Sequence, residues 1–233
     1  YVTKKDVFAT FAERLPATLK LACSSVLIAT LVALPLGIYT AIHQNTWKDT
    51  GGMVFALFGV SMPNFWLGLM LILCFSLWLG WFPSGGYGDG GIRNLVLPAV
   101  TVGLGFAALI TRTTRSAMLD VIRQDYMTTA RAKGVPDRKV IFGHGLKNAL
   151  IPIITVIGMQ LSNALTGSVL AETVFSWPGV GRLIVDSIAK RDTPMVTGSI
   201  IMCCILVCIV NVAVDLVYAF FDPRIKAQYA KKG

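Results

Sequence analysis

The chain is 233 residues long, 55% hydrophobic and only 14% charged, with a formal net charge of +9. Soluble domains carry roughly 25% charged residues, so this composition excludes an ordinary soluble domain. The basic excess does not point to nucleic acid, because it clusters in loops beside apolar runs, as in loops that face anionic lipid.

In chain order, residues 1–16 read as an extracytoplasmic lead-in, with no signal peptide visible ahead of it. Crossing the hydrocarbon takes about 20 mostly apolar residues as a helix, and five segments qualify. They run from Ala17 to Ile42, Met53 to Leu79, Asn94 to Ile110, Asn148 to Leu170 and Val196 to Phe221. The expected fold is therefore all-α, a polytopic membrane helical bundle over residues 17–222, followed by a tail at 223–233. Pro35, Pro63, Pro98 and Pro152 interrupt the spans, and each removes a backbone donor. Such interruptions fit either a bundle lining a pathway or ordinary packing kinks. The five cysteines lie in apolar segments without metal-ligand spacing and read as small buried hydrophobes, not as disulfides or metal ligands.

Basic residues orient the bundle. Lys48, eight residues from Arg112 to Lys147, and Arg224, Lys226, Lys231 and Lys232 fall on one side, thirteen of the 21 Lys and Arg in all. The positive-inside bias places that side in the cytoplasm and Tyr1 outside.

No phosphate-cradling glycine loop, H-E-x-x-H helix or paired intramembrane carboxylate is present, and His43 and His144 have no partners for a triad. The expectation is a transport protein, with no catalytic residues, no cofactor and no metal of its own. Proton coupling would need an acid deep in the bundle, and Asp215, one turn from Asn211, is the candidate. An interhelical hydrogen bond is the alternative reading of that pair. Glu172 reads as a loop anchor at the end of the fourth span. Ser61 and Asn64 flank Pro63, while Gln160, Asn163 and Gly167 recur at helical spacing. These polar groups either line a route through the bundle or bind neighbouring helices.

The stretch from Asp125 to Pro152 is the strongest signal. Asp125 to Lys133 favours a helix, Gly134 breaks it, and Pro136 and Asp137 suit the first turn of a second helix. A basic helical hairpin, at about 112–147, is thus set between apolar spans. Its two readings are a plug for a partner's groove and an amphipathic hairpin resting on lipid.

The run Thr128-Thr129-Ala130-Arg131-Ala132-Lys133-Gly134, followed by His144, Leu146, Asn148 and Pro152, resembles the cytoplasmic coupling loop of binding-protein-dependent ABC transporter permeases. It is closest in pattern to their dipeptide/oligopeptide/nickel branch. That family has a Glu in this loop where Thr128 stands. Arg14-Leu15-Pro16-Ala17-Thr18-Leu19, Ser61-Met62-Pro63-Asn64-Phe65, Phe175 to Arg182 and Asp222-Pro223-Arg224 match the same branch in the same order.

The resemblance implies a type I ABC importer permease fold of six spans, of which the first would be missing here, in a bacterial plasma (inner) membrane. It implies a second related permease, two ATPase subunits that hydrolyse ATP, and an extracytoplasmic substrate-binding protein. Membrane lipid is the other expected partner, and nucleic acid is not expected. On that reading Thr128 to Gly134, with His144 and Asn148, dock in the ATPase. Ser61, Asn64, Gln160 and Asn163 would line the pathway. Trp177, Pro178, Gly179 and Gly181 would form an outer gate or meet the binding protein. Short peptides are the expected cargo, with nickel or a metal chelate as the alternative. A proton-coupled secondary transporter and a membrane scaffold are the readings from other classes.

Overall fold

The computed structural model describes residues 6–88 and 90–221; the side chains of 167 and 217–221, and the expected tail with Asp222-Pro223-Arg224, lie outside the described residues. Helix α1 spans Val7–Ile42, α2 Trp47–Ser61 and α3 Asn64–Leu71, which continues as a π-helix over Ile72–Trp78. After a loop come α4 at Ile92–Ile122 and the short α5 at Asp125–Ala132. Next, α6 at Asp137–Lys139 runs through a π-helical stretch, Val140–Gly145, into α7 at Leu146–Gly167. The chain closes with α8 at Val169–Val174, α9 at Val180–Ala189 and α10 at Thr193–Phe221. No strand occurs among the described residues.

Four helices are long and apolar enough to cross a membrane, and five if α2 and α3 count as one broken span. That pair is bent by 97° at Pro63. Pro63 supplies no N–H, and its ψ of 131° is extended, so the break falls where the chain lacks a donor. Pro35, Pro98 and Pro152, in contrast, sit inside continuous helices. α1 begins ten residues before the expected start of the first span and carries Pro16 within it.

The chain divides into two compact units. The first unites residues 6–29, 60–106 and 160–211. Trp177, fully buried, packs there with Ala17, Leu21, Leu95 and Ala99. Beside them Phe175 joins Leu97, Val102 and Ala171. Lipid is as apolar as leucine, so close van der Waals fit and buried hydrogen bonds must hold such contacts. The first unit combines such packing with hydrogen bonds, several of them partly buried. Gly86 N–H donates to the Phe175 carbonyl at 2.7 Å, Asn94 Nδ2 to the Gly86 carbonyl at 3.2 Å, and Lys20 Nζ to the Gly90 carbonyl.

The second unit gathers residues 30–59, 107–159 and 212–221. Ile38 and Ala41 of α1, Ala117, Met118 and Leu119 of α4, and Ala149 and Ile153 of α7 form its core. The hairpin belongs to this unit.

The cysteines are free, but they are less buried than their apolar setting suggests. Cys23, Cys204 and Cys208 are exposed, and Cys74 and Cys203 are half-buried. A small apolar side chain fits the outer face of a helix in lipid as well as a core, which composition does not distinguish.

Candidate functional site

The short helices of the hairpin begin where α4 ends. Gln124, with extended ψ of 146°, turns the chain, and α5 starts at Asp125, an acid suited to a helix N-terminus. Thr129 returns its hydroxyl to the Asp125 carbonyl at 3.0 Å. The helix ends as its sequence dictates. Gly134 takes φ +78°, a left-handed conformation costly for other residues, and a Cβ there would meet nothing within 4 Å. Its N–H donates to the Arg131 carbonyl at 2.9 Å and that of Val135 to the Ala130 carbonyl at 3.2 Å. Pro136 then caps α6 with φ −56°, and Val140 N–H closes the first turn on the Pro136 carbonyl at 3.0 Å.

Two contacts could fix this hairpin, and their magnitudes differ. Arg131 Nε donates to Asp137 Oδ1 at 3.0 Å, but the two side chains are 39% and 74% exposed. Such a pair contributes about 0–1 kcal/mol. Met127 is fully buried, and its Cε and that of Met118 both lie close to Gly145. Burying a side chain of that size is worth about 1.5–3 kcal/mol. Met127 is the anchor. Nothing in its spacing singled it out from the sequence. Tyr126 adds a polar tie, its hydroxyl accepting Asn148 Nδ2 at 3.0 Å, while the same nitrogen reaches the His144 carbonyl at 2.9 Å.

The remaining surface is open. Thr128, Thr129, Arg131, Ala132, Lys133 and Gly134 are exposed and Ala130 is half-buried, as is Val135 beyond the turn. Exposed Arg138, Lys139, Phe142 and His144 continue the face on the second arm. Of the nine residues expected at this site, seven are contiguous around α5 and its turn. His144 and Asn148 are joined to them through Tyr126. The arrangement can present a preformed, basic, shape-defined projection to another protein.

The expected outer residues, in the first unit, are interior. Trp177 has no exposed surface and donates Nε1–H to the Ala17 carbonyl at 2.9 Å, with Tyr87 edge-on at 4.8 Å between centroids. Gly179 and Gly181 are buried and only Pro178 is half-buried. Of their two expected roles, outer gate or binding-protein contact, the second would need exposed surface, and these residues have little. The physical reason is Glu172, a fully buried carboxylate. Its Oε1 accepts the Thr18 and Ser168 hydroxyls at 2.9 and 3.1 Å, and its Oε2 accepts Arg182 N–H at 3.0 Å. A Cβ at Gly179 would collide with that carboxyl. The glycines make room for an anchor.

Three of the four expected pathway residues fall in two contacts. Asn163 Nδ2 donates to Gln160 Oε1 at 2.9 Å, one turn away on α7. Asn64 lies against Gly105 of α4, and Ser61 is exposed at the α2 break. Asn211 accepts the Ser162 hydroxyl at 2.6 Å, an interhelical hydrogen bond, and Asp215 is exposed on α10.

Residues 33–227 match the family described as binding-protein-dependent transport system inner membrane component. The chain belongs to that family. This permease is 41% identical over 97% of its length to the di/tripeptide transport system permease protein DppB of Pseudomonas aeruginosa, covering 75% of it. It is 40% identical to the glutathione transport system permease protein GsiC of Salmonella typhi, over 97% of this chain and 73% of that one. The oligopeptide transport system permease protein AppB of Bacillus subtilis is 42% identical over 91% and 70%. The permease also shares its fold with a chain of the inward-facing MetNI methionine ABC transporter, with a TM-score of 0.78 at 19% identity over 91% of this chain and 96% of that one. It is accordingly a multi-pass inner-membrane component of an ABC importer, working with ATPase and substrate-binding partners, and not itself an enzyme.

Proposed function

We propose that this permease forms the translocation pathway for short peptides, and that the hairpin from Arg112 to Lys147 faces the cytoplasm and receives the ATPase. What carries the coupling role is the exposed basic face of α5 and its turn, prefolded and held by one buried methionine. The positive-inside distribution of Lys and Arg supports its orientation. The names of the relatives, which transport di- and tripeptides, oligopeptides or glutathione, support the cargo.

On this reading a second, related permease completes the pathway and two ATPases supply the stroke. Closure of the ATPases displaces the hairpin as a rigid lever, and the spans pass between inward and outward access. Thr128, Thr129, Ala130, Arg131, Ala132, Lys133 and Gly134 dock, with His144 and Asn148 bracing the second arm. Thr128 has no charge, so docking rests on shape and on basic side chains. Ser61, Asn64, Gln160 and Asn163 line the pathway. The Phe175–Arg182 segment gates the outer side as a packed cap, and Ser176, its exposed member, is the point that a binding protein meets.

The test is ATP-dependent uptake of labelled dipeptide into vesicles holding the assembled transporter, with Gly134→Trp as the variant. Space beside Gly134 is open, so the tryptophan projects into the docking side. Expected are normal insertion and lost uptake. Normal uptake by an inserted Gly134→Trp sinks the coupling role. Uptake of nickel or a metal chelate, and not of dipeptide, sinks the peptide reading.

A further inference from the structure

A lever moves a body only if it is fixed to it. Two residues, Arg123 and Gln124, separate α5 from α4, whose last turns are the hairpin's own root, so a displacement of α5 enters α4 first. Arg115 lies two turns before the end of that helix. Its Nε donates to Asp49 Oδ1 and an Nη to Asp49 Oδ2, each at 2.7 Å. This is a planar two-point fork, which fixes orientation as well as distance. Asp49 stands in the first turn of α2, and its side chain is only 7% exposed, against 25% for Arg115. The same carboxylate accepts Asn45 N–H at 3.1 Å, where Asn45 takes φ +61° to close the turn from α1.

The neighbouring helix contacts have no slack. A Cβ on Gly37 of α1 would stand 2.6 Å from Thr114 Cβ and 2.8 Å from the Thr111 carbonyl oxygen of α4. A Cβ on Gly52 of α2 would stand 2.5 Å from Thr40 Cγ2 of α1. Backbones in such proximity cannot approach further, yet nothing in a glycine seat stops one helix sliding along another. A bidentate ion pair does stop it, because translation breaks both hydrogen bonds together.

We propose that Asp49 and Arg115 are positioning residues for energy coupling: their ion pair clips α2 and the α1–α2 turn to the hairpin-bearing α4. A displacement of the hairpin is then carried into α2 and not lost as slippage of α4. The inference rests on the coupling role of the hairpin proposed above. Helix-dipole stabilisation by an acid in the first turn is the purely structural role of Asp49, and it needs no arginine.

The experiment follows uptake and ATP hydrolysis side by side in vesicles holding the complete transporter. The variants are Asp49→Asn, Arg115→Gln, Arg115→Lys and the exchange of Asp49→Arg with Arg115→Asp. Expected for Asp49→Asn and Arg115→Gln is a fall in uptake per ATP of about tenfold, a typical coupling free energy between sites, with hydrolysis preserved. Arg115→Lys keeps the charge without the fork and falls in between, and the exchange recovers most of the loss. Unchanged uptake per ATP in both single variants overturns the proposal. So does a loss that only tracks the amount of assembled transporter, or an assembled exchange variant as uncoupled as the singles. Should Asp49→Asn fail to insert, Asp49→Glu, with its charge displaced by one methylene, is read by the same ratio. A wild-type transporter whose uptake ignores ATP overturns the coupling reading itself, and the role of the pair with it.

Discussion

The Thr18 hydroxyl donates to Glu172 Oε1 at 2.9 Å, while its oxygen accepts Val180 N–H at 2.8 Å. One threonine on α1 thereby fastens both ends of the α8–α9 turn, 154 and 162 residues further along the chain. The Glu172 carboxylate is the hub, because Ser168 and the Arg182 backbone converge on it as well.

Replacing Glu172 by alanine leaves three donors without an acceptor. Each unsatisfied buried donor costs about 1–3 kcal/mol, so Glu172→Ala is expected to lower Tm strongly in detergent. Glu172→Gln retains one acceptor oxygen and should fall between it and wild type. A Glu172→Ala protein with unchanged Tm would remove the carboxylate from its anchoring role.

Two glycine substitutions should go in opposite directions. Gly179→Ala drives a methyl into the Glu172 carboxyl and is expected to destabilise by about 1–3 kcal/mol. Gly51→Ala, on α2 with nothing within 4 Å, should stabilise its helix by about 0.5–1 kcal/mol. Thermal unfolding of both in one detergent decides, and a shared sign refutes the assignment.

Met127→Ala empties the space that its side chain fills against Gly145. Core truncations of this kind cost about 2–5 kcal/mol, and here the loss should be local. Amide exchange is expected to quicken across α5 and the Gly134 turn while α4 stays protected. Equal exchange in wild type and variant would show that Met127 does not hold the hairpin.

Gly134→Ala separates backbone strain from docking. A left-handed alanine costs about 1–2 kcal/mol, without any steric contact. Faster exchange at the turn is expected, with uptake retained to a far greater degree than in Gly134→Trp. Equal loss of uptake in the two variants would assign the effect to strain and not to the docking side.

The hairpin was legible because local chemistry specifies it. Gly134 and Pro136 dictate the turn whatever surrounds them, and the helix boundaries fall where the capping signals lie. The apolar segments were legible from hydropathy, but not their bounds, nor which of the four interrupting prolines breaks its helix. Pro63 does, while Pro35, Pro98 and Pro152 lie inside continuous helices. What escaped is every relationship that depends on which helix faces which. Asp49 and Arg115 stand 66 residues apart, and neither advertises a partner. In an apolar span the inward and outward faces of a helix have similar composition, so periodicity does not reveal that Met118 is covered and Cys204 is not. The burial of Trp177 was hidden for a related reason. An aromatic residue in a glycine-rich loop fits an outer gate as well as a contact surface until the buried acid that the glycines accommodate is seen.

The left-handed turn at Gly134, the fixed dihedral of Pro136 and the seated side chain of Met127 share one outcome. Whatever meets this loop finds it already folded. Association then spends little conformational entropy on the loop, so a modest contact area can suffice and the partner can let go and return without the loop unfolding between visits.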